Sequence, residues 1–290
     1  MTEATARVAV VIPFLGRTAE LRECLASVRD QTFADWQAVA VDDGSRDDSG
    51  AALVKEFNDP RIRLVRHPVN RGLAAARNTG VRATTAPWIL PLDGDDILPT
   101  GALDRLLAAV SESPGMDCAF GDIELFGSET GTWRYGVGTT ADLARRQWLP
   151  GAGALLHRRV WQRAQGWCED DDLRAGNEDW DFWLAAAAEG PIRAVHVPEV
   201  TYRYRRSAGS MSTGSLRLAD WRTRMAMVRR HRELFDRHGG AAAFIRAGLW
   251  RSAAACLRDG RPAAACGLAA RAVAGTVWPA SCVPARHNPL

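Results

Sequence analysis

Apolar and polar residues alternate with two different periods along the first hundred residues of the chain. Val8 to Ile12 is an uninterrupted apolar run rich in β-branched residues, which is typical of a strand buried on both faces. In Ala19 to Gln31 the apolar residues recur at helical spacing. The same alternation predicts further strands at 36–41, 62–66 and 88–92 and further helices at 50–57 and 73–81. Because the connections are short, this pattern predicts an α/β fold around a mostly parallel sheet.

The regular alternation of strands and helices ends near residue 100. The pattern predicts a helix at 101–110, a strand at 118–125, a loop region rich in Gly and Thr at 127–153 with a strand near Trp133, and a helix at 180–189. Extended segments follow at 194–197 and 201–204, and after them three helices at 216–237, 241–257 and 263–273. Residues 279–290 are predicted to be irregular. An α/β part is therefore followed by a helical C-terminal part.

The composition is that of a globular protein, and it excludes several kinds of chemistry. With 47% hydrophobic and 24% charged residues, the 290-residue chain is neither disordered nor fibrous. Its net charge of +3 is too small for a dedicated nucleic-acid-binding protein. Lys55 is the only lysine, and it lies on a predicted helix surface, so a Walker A loop and a pyridoxal-phosphate lysine are both excluded.

Cysteine, histidine and hydropathy patterns indicate the compartment. The six cysteines show no Cys-x-x-Cys spacing and the six histidines no His-x-x-x-His spacing, so we expect reduced cysteines and no zinc site of the usual kind. No uncharged apolar run reaches the roughly 18 residues of a membrane span, and Met1 to Arg7 does not read as a secretory leader. We therefore expect a cytoplasmic protein, either free or at the inner face of the membrane.

Acidic clusters follow two of the predicted strands. Asp42 and Asp43 open a polar segment after the second strand, and Asp93-Gly94-Asp95-Asp96 follows the fourth. Ligands of such sheets bind outside the carboxyl ends of the strands, and neighbouring carboxylates there require a compensating cation. A divalent ion such as Mg²⁺ or Mn²⁺ takes oxygen ligands and keeps positions open for phosphates. The alternative is that these Asp-Gly segments are ordinary turns.

Several segments in a fixed order resemble the family-2 glycosyltransferases of the GT-A fold. They are Val41 to Asp47, Asn70 to Gly72 with Ala76 to Gly80, Leu92 to Asp96, Gly176 to Leu184, and Tyr204 to Ser212. The resemblance covers residues 7–213 and implies a GT-A domain with a Rossmann-like, mostly parallel central sheet flanked by helices. We expect that domain to span residues 1–215 and a helical extension to span residues 216–290.

The resemblance also implies an inverting, metal-dependent transfer from a nucleotide-sugar donor. Asp43 would recognise the base, Pro13 and Phe14 would line its pocket, Gly72 would contact the nucleotide sugar, and Arg77 would support the nucleotide or the diphosphate. Asp95, with Asp93 beside it, would hold Mn²⁺ or Mg²⁺, and Asp93 would also contact the nucleotide sugar. Asp179 would be the general base, and the secondary candidates are Glu178, Asp96 and Ser207.

Two departures from the family pattern bear on these expectations. The first strand ends in Pro13-Phe14-Leu15-Gly16, where the family often has Pro-x-Tyr-Asn, and Ser207 stands where many relatives have a histidine that completes the metal shell. One alternative is therefore a non-catalytic partner subunit that binds nucleotide sugars; another is a nucleotidyltransferase. Glu178 and Asp179 also have a simpler explanation, because acidic residues at a helix start are favoured by the helix dipole.

The acceptor and the partners are left open by the sequence. A carboxylate at position 43 accepts from the imide N–H of uracil or thymine, so UDP or dTDP is favoured over GDP. The acceptor is a glycan, a lipid-linked intermediate or a small natural product. Residues 217–261 hold eleven arginines and four acidic residues, which suits a solvated helix face, peripheral contact with an anionic membrane, or a homodimer. Five tryptophans suit either an acceptor platform or core packing: Trp133, Trp148, Trp161, Trp167 and Trp180.

Overall fold

Eight strands form one mixed sheet in the computed structural model, which describes residues 6–174, 176–207 and 215–274. The strands are β1 (Val8–Phe14), β2 (Trp36–Asp42), β3 (Ile62–Arg66), β4 (Trp88–Pro91), β5 (Cys118–Gly127), β6 (Gly131–Trp133), β7 (Leu155–His157) and β8 (Ala194–Arg206). The helices before β8 are α1 (Thr18–Arg29), α2 (Ser49–Phe57), α3 (Leu73–Arg82), α4 (Ala102–Glu112), α5 (Thr140–Leu143), α6 (Arg158–Arg163) and α7 (Glu178–Ala188), with a 3₁₀ turn at Asp171–Leu173. After β8 come α8 (Ser215–Arg230), α9 (Arg232–His238), α10 (Ala241–Arg258) and α11 (Pro262–Val273).

The sheet is parallel where the acidic segments leave it. Its order is β3-β2-β1-β4-β7-β5-β6, with β8 paired to β5. β1 runs parallel to β2 on one side and to β4 on the other, with Val8 opposite both Trp36 and Trp88. β2 in turn runs parallel to β3. β7 is antiparallel to β4 and to β5, and β8 is parallel to β5. The carboxyl ends of β1, β2 and β4 therefore meet at one edge of the sheet, and the expected GT-A architecture is confirmed.

Alternating side chains of the buried strands divide the core between the two faces of the sheet. Val8, Val10 and Ile12 point into a core formed with α1, α2 and α4. Val11 points to the opposite face, whose core is formed with α3, α6 and α7 and also with α8, α9 and α10. The second core therefore crosses residue 215, and the expected domain boundary there remains a prediction.

The structure differs from the sequence prediction in several elements. The helix predicted at 216–237 is two helices, because the chain breaks at His231, whose imidazole lies 2.7 Å from the buried Asp181 of α7. The extended segments at 194–197 and 201–204 form one strand, β8, with a register irregularity opposite Asp122. β7, α5, α6 and the 3₁₀ turn were absent from the prediction. They are too short to show a period of their own.

The helices after β8 pack through buried polar side chains as well as apolar ones. Arg224 is buried, donates to Asp220 and lies over the rings of Trp180 and Phe244, with its guanidinium carbon 4.6 and 4.4 Å from the two ring centres. Among the described residues, no helix has both the length and the hydropathy that a bilayer span requires. The predicted irregular tail at 279–290 lies outside the described residues.

Candidate active site

Asp43, directly after β2, is held mainly by main-chain groups of the loop that opens α3. Its two carboxylate oxygens accept from the N–H of Arg71 at 2.9 Å and from the N–H of Gly72 at 2.8 Å. Nδ1 of His67 lies 2.7 Å from the same carboxylate, and Nε2 of His67 lies 2.9 Å from the Thr79 hydroxyl. A carboxylate has about four acceptor positions, so capacity for a further N–H remains. The predicted residues Asp43 and Gly72 thus come together, and His67 joins them.

The end of β1 connects the two acidic segments through its main chain. The Pro13 carbonyl accepts from the N–H of Gly94 at 3.1 Å, and the Phe14 carbonyl accepts from the N–H of Asp43 at 2.9 Å. The ring of Phe14 is buried in the core beside Gly50 of α2. The main chain of Pro13 and Phe14 therefore lies at the site, whereas the Phe14 ring faces away from it and stacking of a base on this ring has no support here.

The segment after β4 carries three carboxylates with different environments. Asp93 accepts from Nη2 of Arg77 at 2.8 Å, and Asp95 accepts from Nη1 of Arg17 at 2.9 Å. The side chains of Asp93 and Asp95 are 24% and 29% exposed, so both are open to a ligand. Burial, followed by the neighbouring Asp93, raises the pKa of Asp95.

Asp96 stabilises the loop after β4 from inside and, unlike Asp93 and Asp95, is not open to a ligand. Its oxygens accept from the Tyr202 hydroxyl at 2.6 Å and from the N–H of Arg205 at 2.7 Å, and it is buried. Burial and the charges of Asp93 and Asp95 raise the pKa of Asp96 well above its ordinary value. The Tyr202 oxygen also accepts from the N–H of Asp93 at 3.2 Å. Tyr202 of β8 therefore fixes the acidic segment from behind.

The acidic segment suits a divalent cation on chemical grounds. In the part of the chain that the structure describes, no three His, Cys, Asp or Glu side chains cluster as a ready-made metal site. Asp93 and Asp95 supply two hard oxygen ligands whose mutual repulsion a cation would relieve, and Mg²⁺ and Mn²⁺ commonly complete their shells with water and phosphate. Ser207 is half-buried just after β8, and residues 208–212 of the closing motif lie outside the described residues.

Arg77 and Asn78, adjacent on α3, anchor different parts of the structure. The buried Arg77 guanidinium donates to Asp93 and, at 3.0 Å, to Glu178 at the start of α7. Burial opposes its charge, but the carboxylates outweigh that effect and raise the pKa of Arg77. The amide of Asn78 instead exchanges hydrogen bonds with the main chain of Trp167, donating to its carbonyl at 2.8 Å and accepting from its N–H at 2.9 Å. Arg77 thus links the acidic segment after β4 directly to the Glu-Asp segment of α7.

Glu178 and Asp179 occupy the first turn of α7. Burial, with the neighbouring Asp179, raises the pKa of Glu178 to about 7, although Arg77 acts in the opposite direction. Oδ1 of Asp179 accepts from the N–H of Trp180 at 2.8 Å, and Oδ2 accepts from Nε2 of Gln147 at 3.0 Å. The two adjacent carboxylates therefore face different partners: Glu178 pairs with Arg77, and Asp179 is oriented by Gln147.

The segment between β6 and β7 encloses Asp179. A Cβ atom at Gly151 would overlap the Asp179 carboxylate, so a larger residue there would require the Asp179 side chain to move. Burial and the charge of Asp179 raise the pKa of the Tyr135 hydroxyl. The indole N–H of Trp183 donates to the Pro150 carbonyl at 2.9 Å, and that of Trp180 to the Leu143 carbonyl at 2.9 Å. These contacts tie the segment to α7.

The tryptophans mainly build the core around this site. Trp148, Trp167 and Trp180 are buried, and Trp161 is partly buried against the same core. Trp133 is 42% exposed and stacks on Tyr204, with ring centres 5.5 Å apart. Core packing therefore accounts for most of the tryptophans, and Trp133 alone among these five is well exposed.

Sequence reasoning missed five residues of the site: Arg17, His67, Gln147, Gly151 and Tyr202. His67 lies three residues before Asn70 and could have been included with that segment. Gln147 and Gly151 lie in the region that the pattern predicts only as a loop, and Tyr202 lies in the extended segment predicted at 201–204. Their contacts with Asp179 and Asp96 bridge distant parts of the chain, and no local pattern shows them.

The model of the family "Glycosyl transferase family 2" matches residues 9–161, more than half of the chain. The chain belongs to this family.

Relatives by sequence include glycosyltransferases of bacteria. The chain is 23% identical over 226 residues to WfgD of Escherichia coli, a UDP-Glc:α-D-GlcNAc-diphosphoundecaprenol β-1,3-glucosyltransferase, with 72% of this chain and 81% of WfgD covered. It is 35% identical over 101 residues to the glycosyltransferase EpsJ of Bacillus subtilis, covering 34% of this chain but only 29% of EpsJ.

Solved structures with the same fold cover nearly the whole chain. Residues 1–349 of Staphylococcus aureus TarS in complex with UDP-GlcNAc align with a TM-score of 0.60 at 15% identity, over 93% of this chain and 88% of that one. The mannosyltransferase PcManGT of Pyrobaculum calidifontis, in complex with GDP-Man and Mn²⁺, aligns with a TM-score of 0.60 at 18% identity, over 95% and 82% of the two chains. At these identities the likeness concerns the fold.

Proposed function

We propose that this chain transfers a sugar from a nucleoside diphosphate sugar to an acceptor hydroxyl in a single displacement that inverts the anomeric carbon. Asp179 takes the proton of the attacking hydroxyl, and Asp43 accepts from the N–H of the base. The acceptor is a glycan, a lipid-linked intermediate or a small natural product. The WfgD relative, whose name gives a lipid-linked diphosphate acceptor, supports the second of these.

The observation that carries the proposal is the double ion pair of Arg77. One guanidinium, 3% exposed, donates to Asp93 on the acidic segment and to Glu178 beside the proposed base. A displacement needs the leaving group and the base held at fixed positions on opposite sides of the reacting carbon. Since Arg77 connects the two carboxylate groups rigidly, it supports a reaction between a ligand at Asp93 and Asp95 and a hydroxyl at Asp179.

A divalent cation, Mn²⁺ or Mg²⁺, fits the same site. Asp95 and Asp93 would hold it, and when bound it would neutralise the negative charge that gathers on the departing diphosphate. Arg17, which donates to Asp95 at 2.9 Å, lies at the same opening and would act on the same charge. The carboxylate of Asp43 can accept from the imide N–H of uracil or thymine. The UDP-Glc donor in the name of the WfgD relative supports a uridine nucleotide, so we propose UDP or dTDP before GDP.

The domain organisation is part of the proposal. Residues 1–215 would form the catalytic domain and residues 216–290 a helical extension. The extension supports the base helix: Asn177, which precedes α7, donates to Asp220 at 3.1 Å and to the Thr223 hydroxyl of α8 at 2.6 Å.

Calorimetric titration with UDP, dTDP and GDP, each with Mn²⁺ and with EDTA, tests the proposal. We expect one nucleotide to bind in a metal-dependent way, and Asp95→Asn to weaken that binding by at least about tenfold, since one charged ligand is lost. Asp30→Asn, at an exposed aspartate after α1, is the matched control and should bind like the wild type.

Two results would contradict the proposal. Binding that EDTA leaves unchanged would remove the metal assignment of Asp93 and Asp95. Metal-dependent nucleotide binding without sugar transfer to any of a broad set of acceptors would favour the non-catalytic binding subunit that Ser207 suggests.

A further inference from the structure

The arginines of the helical C-terminal part fall into two groups. Several are neutralised by carboxylates of the chain itself. Arg229 donates to Asp172 at 2.9 Å, Arg230 donates to Asp170 at 2.9 Å, and Arg224 is buried against Asp220. Arg229 and Arg230 fasten α8 to the segment before α7, and the Arg224 pair lies within α8, so these arginines do not contribute an external basic surface.

The second group lies on the hairpin formed by α10 and α11. Between residues 241 and 273, which form this hairpin, the sequence has five arginines and a single acidic residue, Asp259. Of these arginines, Arg251 pairs with Asp220 at 3.1 Å. Arg246, Arg258 and Arg261 are exposed, and no salt bridge to them is formed within the described residues. The hairpin therefore presents a mainly positive outward surface, on which Asp259 is the one acidic side chain of residues 241–273.

The same surface carries exposed apolar side chains. Trp250 is 48% exposed, Leu257 59% and Val273 75%. Arg246, Trp250 and Leu257 are four and seven residues apart, which places them on one side of α10. A shallow apolar groove runs between the two helices, from Trp250 and Leu257 to Cys266 and Ala269. An exposed apolar groove bordered by charge is typical of an interaction site.

We propose that the α10–α11 hairpin binds the surface of a bilayer that contains anionic lipids. Apolar side chains that enter the headgroup region and arginines that pair with lipid phosphates are the two attractions that hold such a helix at a membrane. The charge decides against a second copy of the chain as the occupant. A symmetric pair of hairpins would place Arg246, Arg258 and Arg261 of one copy near the same basic residues of the other, and facing like charges oppose association. The proposal does not depend on the proposed reaction, because vesicle binding needs neither nucleotide nor acceptor.

Vesicle flotation of the full chain tests the proposal. We expect the protein to float with phosphatidylcholine vesicles that contain phosphatidylglycerol, to stay behind with phosphatidylcholine alone, and to detach as salt is raised. Replacing Arg258 and Arg261 together by Gln should lower the partition coefficient roughly 20-fold, since each basic side chain at an anionic surface contributes roughly fivefold. Trp250→Ala combined with Leu257→Ala should lower it as well. Both pairs are exposed, so folding should be preserved, and circular dichroism checks this.

The matched control is Arg22→Gln combined with Arg29→Gln. These exposed arginines lie on α1, which packs on the opposite face of the sheet, and the pair removes the same charge. We expect its partition coefficient to be that of the wild type. Equal loss in both arginine pairs, or no binding to either vesicle, would overturn the proposal. A third result would also overturn the proposal. If light scattering shows a dimer of the wild type and a monomer of the Trp250→Ala, Leu257→Ala variant, and vesicle binding is the same in both, the groove is a contact between two copies of the chain.

Discussion

The two carboxylates at the ends of the site, Asp43 and Asp179, are held by different kinds of groups. Asp43 accepts from two main-chain N–H groups, those of Arg71 and Gly72, and also lies 2.7 Å from Nδ1 of His67. Asp179 accepts from one main-chain N–H of its own helix and from the side chain of Gln147. We call the first region, residues 42–45 with 70–72, the nucleotide side, and the second, residues 147–151 with 178–179, the base side.

This difference shows which parts of the site depend on side-chain identity. The main-chain clamp does not depend on the side chains of Asn70 and Arg71, although the positive φ of Gly72, +97°, favours glycine there. The base side depends on a glutamine and on the absence of a side chain at Gly151. The geometry of the base side therefore depends more on side-chain identity than the geometry of the nucleotide side does.

The largest difference between the two sides is expected from the substitution Asp179→Asn. The variant loses the proton acceptor, so we expect the rate of sugar transfer to fall by about 10²–10⁴-fold. Nucleotide affinity should stay at the wild-type value, because the nucleotide side is untouched. Steady-state kinetics and calorimetry measure the two quantities. Glu189→Gln, just past the other end of the same helix, controls for loss of a charge. Wild-type turnover in Asp179→Asn would remove this residue as the base.

A second experiment tests the charge of Glu178, the carboxylate of the base side that pairs with Arg77. Glu178 has a pKa of about 7, raised by burial above the value of about 4.3 expected in the unfolded chain. A raised carboxyl pKa contributes stability that is complete below the unfolded value and is lost as pH rises through 7. Between pH 5 and pH 8 the wild type should therefore lose about 2–3 kcal/mol that Glu178→Gln does not lose. Urea unfolding at both pH values, in metal-free buffer, measures this.

Exposed Glu56 provides the control for that experiment. Glu56→Gln removes a carboxylate that pairs with Arg22 at the surface, so its pH dependence should follow the wild type. If Glu178→Gln and the wild type lose equal stability between pH 5 and pH 8, Glu178 does not titrate in this range and the electrostatic account of the Arg77 pair is wrong.

The smallest expected effect comes from Gln147→Leu. Loss of one hydrogen bond to the Asp179 carboxylate should lower kcat by about tenfold, the lower end of the effect expected from about 1.5–3 kcal/mol for bonds to charged groups. Nucleotide affinity should not change, whereas a merely structural role would weaken both sides together. Gln162→Leu, at an exposed glutamine of α6, is the matched control. A fall in nucleotide affinity equal to the fall in kcat would contradict the division between the two sides.

The nucleotide side could be predicted from the sequence to a large extent, and the base side only in part. Asp43 and, beside this region, the 93–96 segment follow strand ends, and Gly72 directly precedes α3, so local patterns and the topology of parallel sheets place them. Gln147 is 32 residues from Asp179, and Tyr202 is 106 residues from Asp96, so their contacts arise from packing that no local period encodes. The same reason explains the missed break at His231, which follows from its contact with Asp181.

The contact between α7 and the helices after β8 has a consequence for building hybrid enzymes. Asp181 of α7 is buried and lies 2.7 Å from His231 and 3.2 Å from Nε of Arg230. If the sequence up to residue 215 were joined to the helices of another family member, that aspartate would lose both partners and remain a buried, uncompensated charge. Swapping modules between such enzymes would therefore succeed only when α7 and the helices behind it are inherited from the same parent.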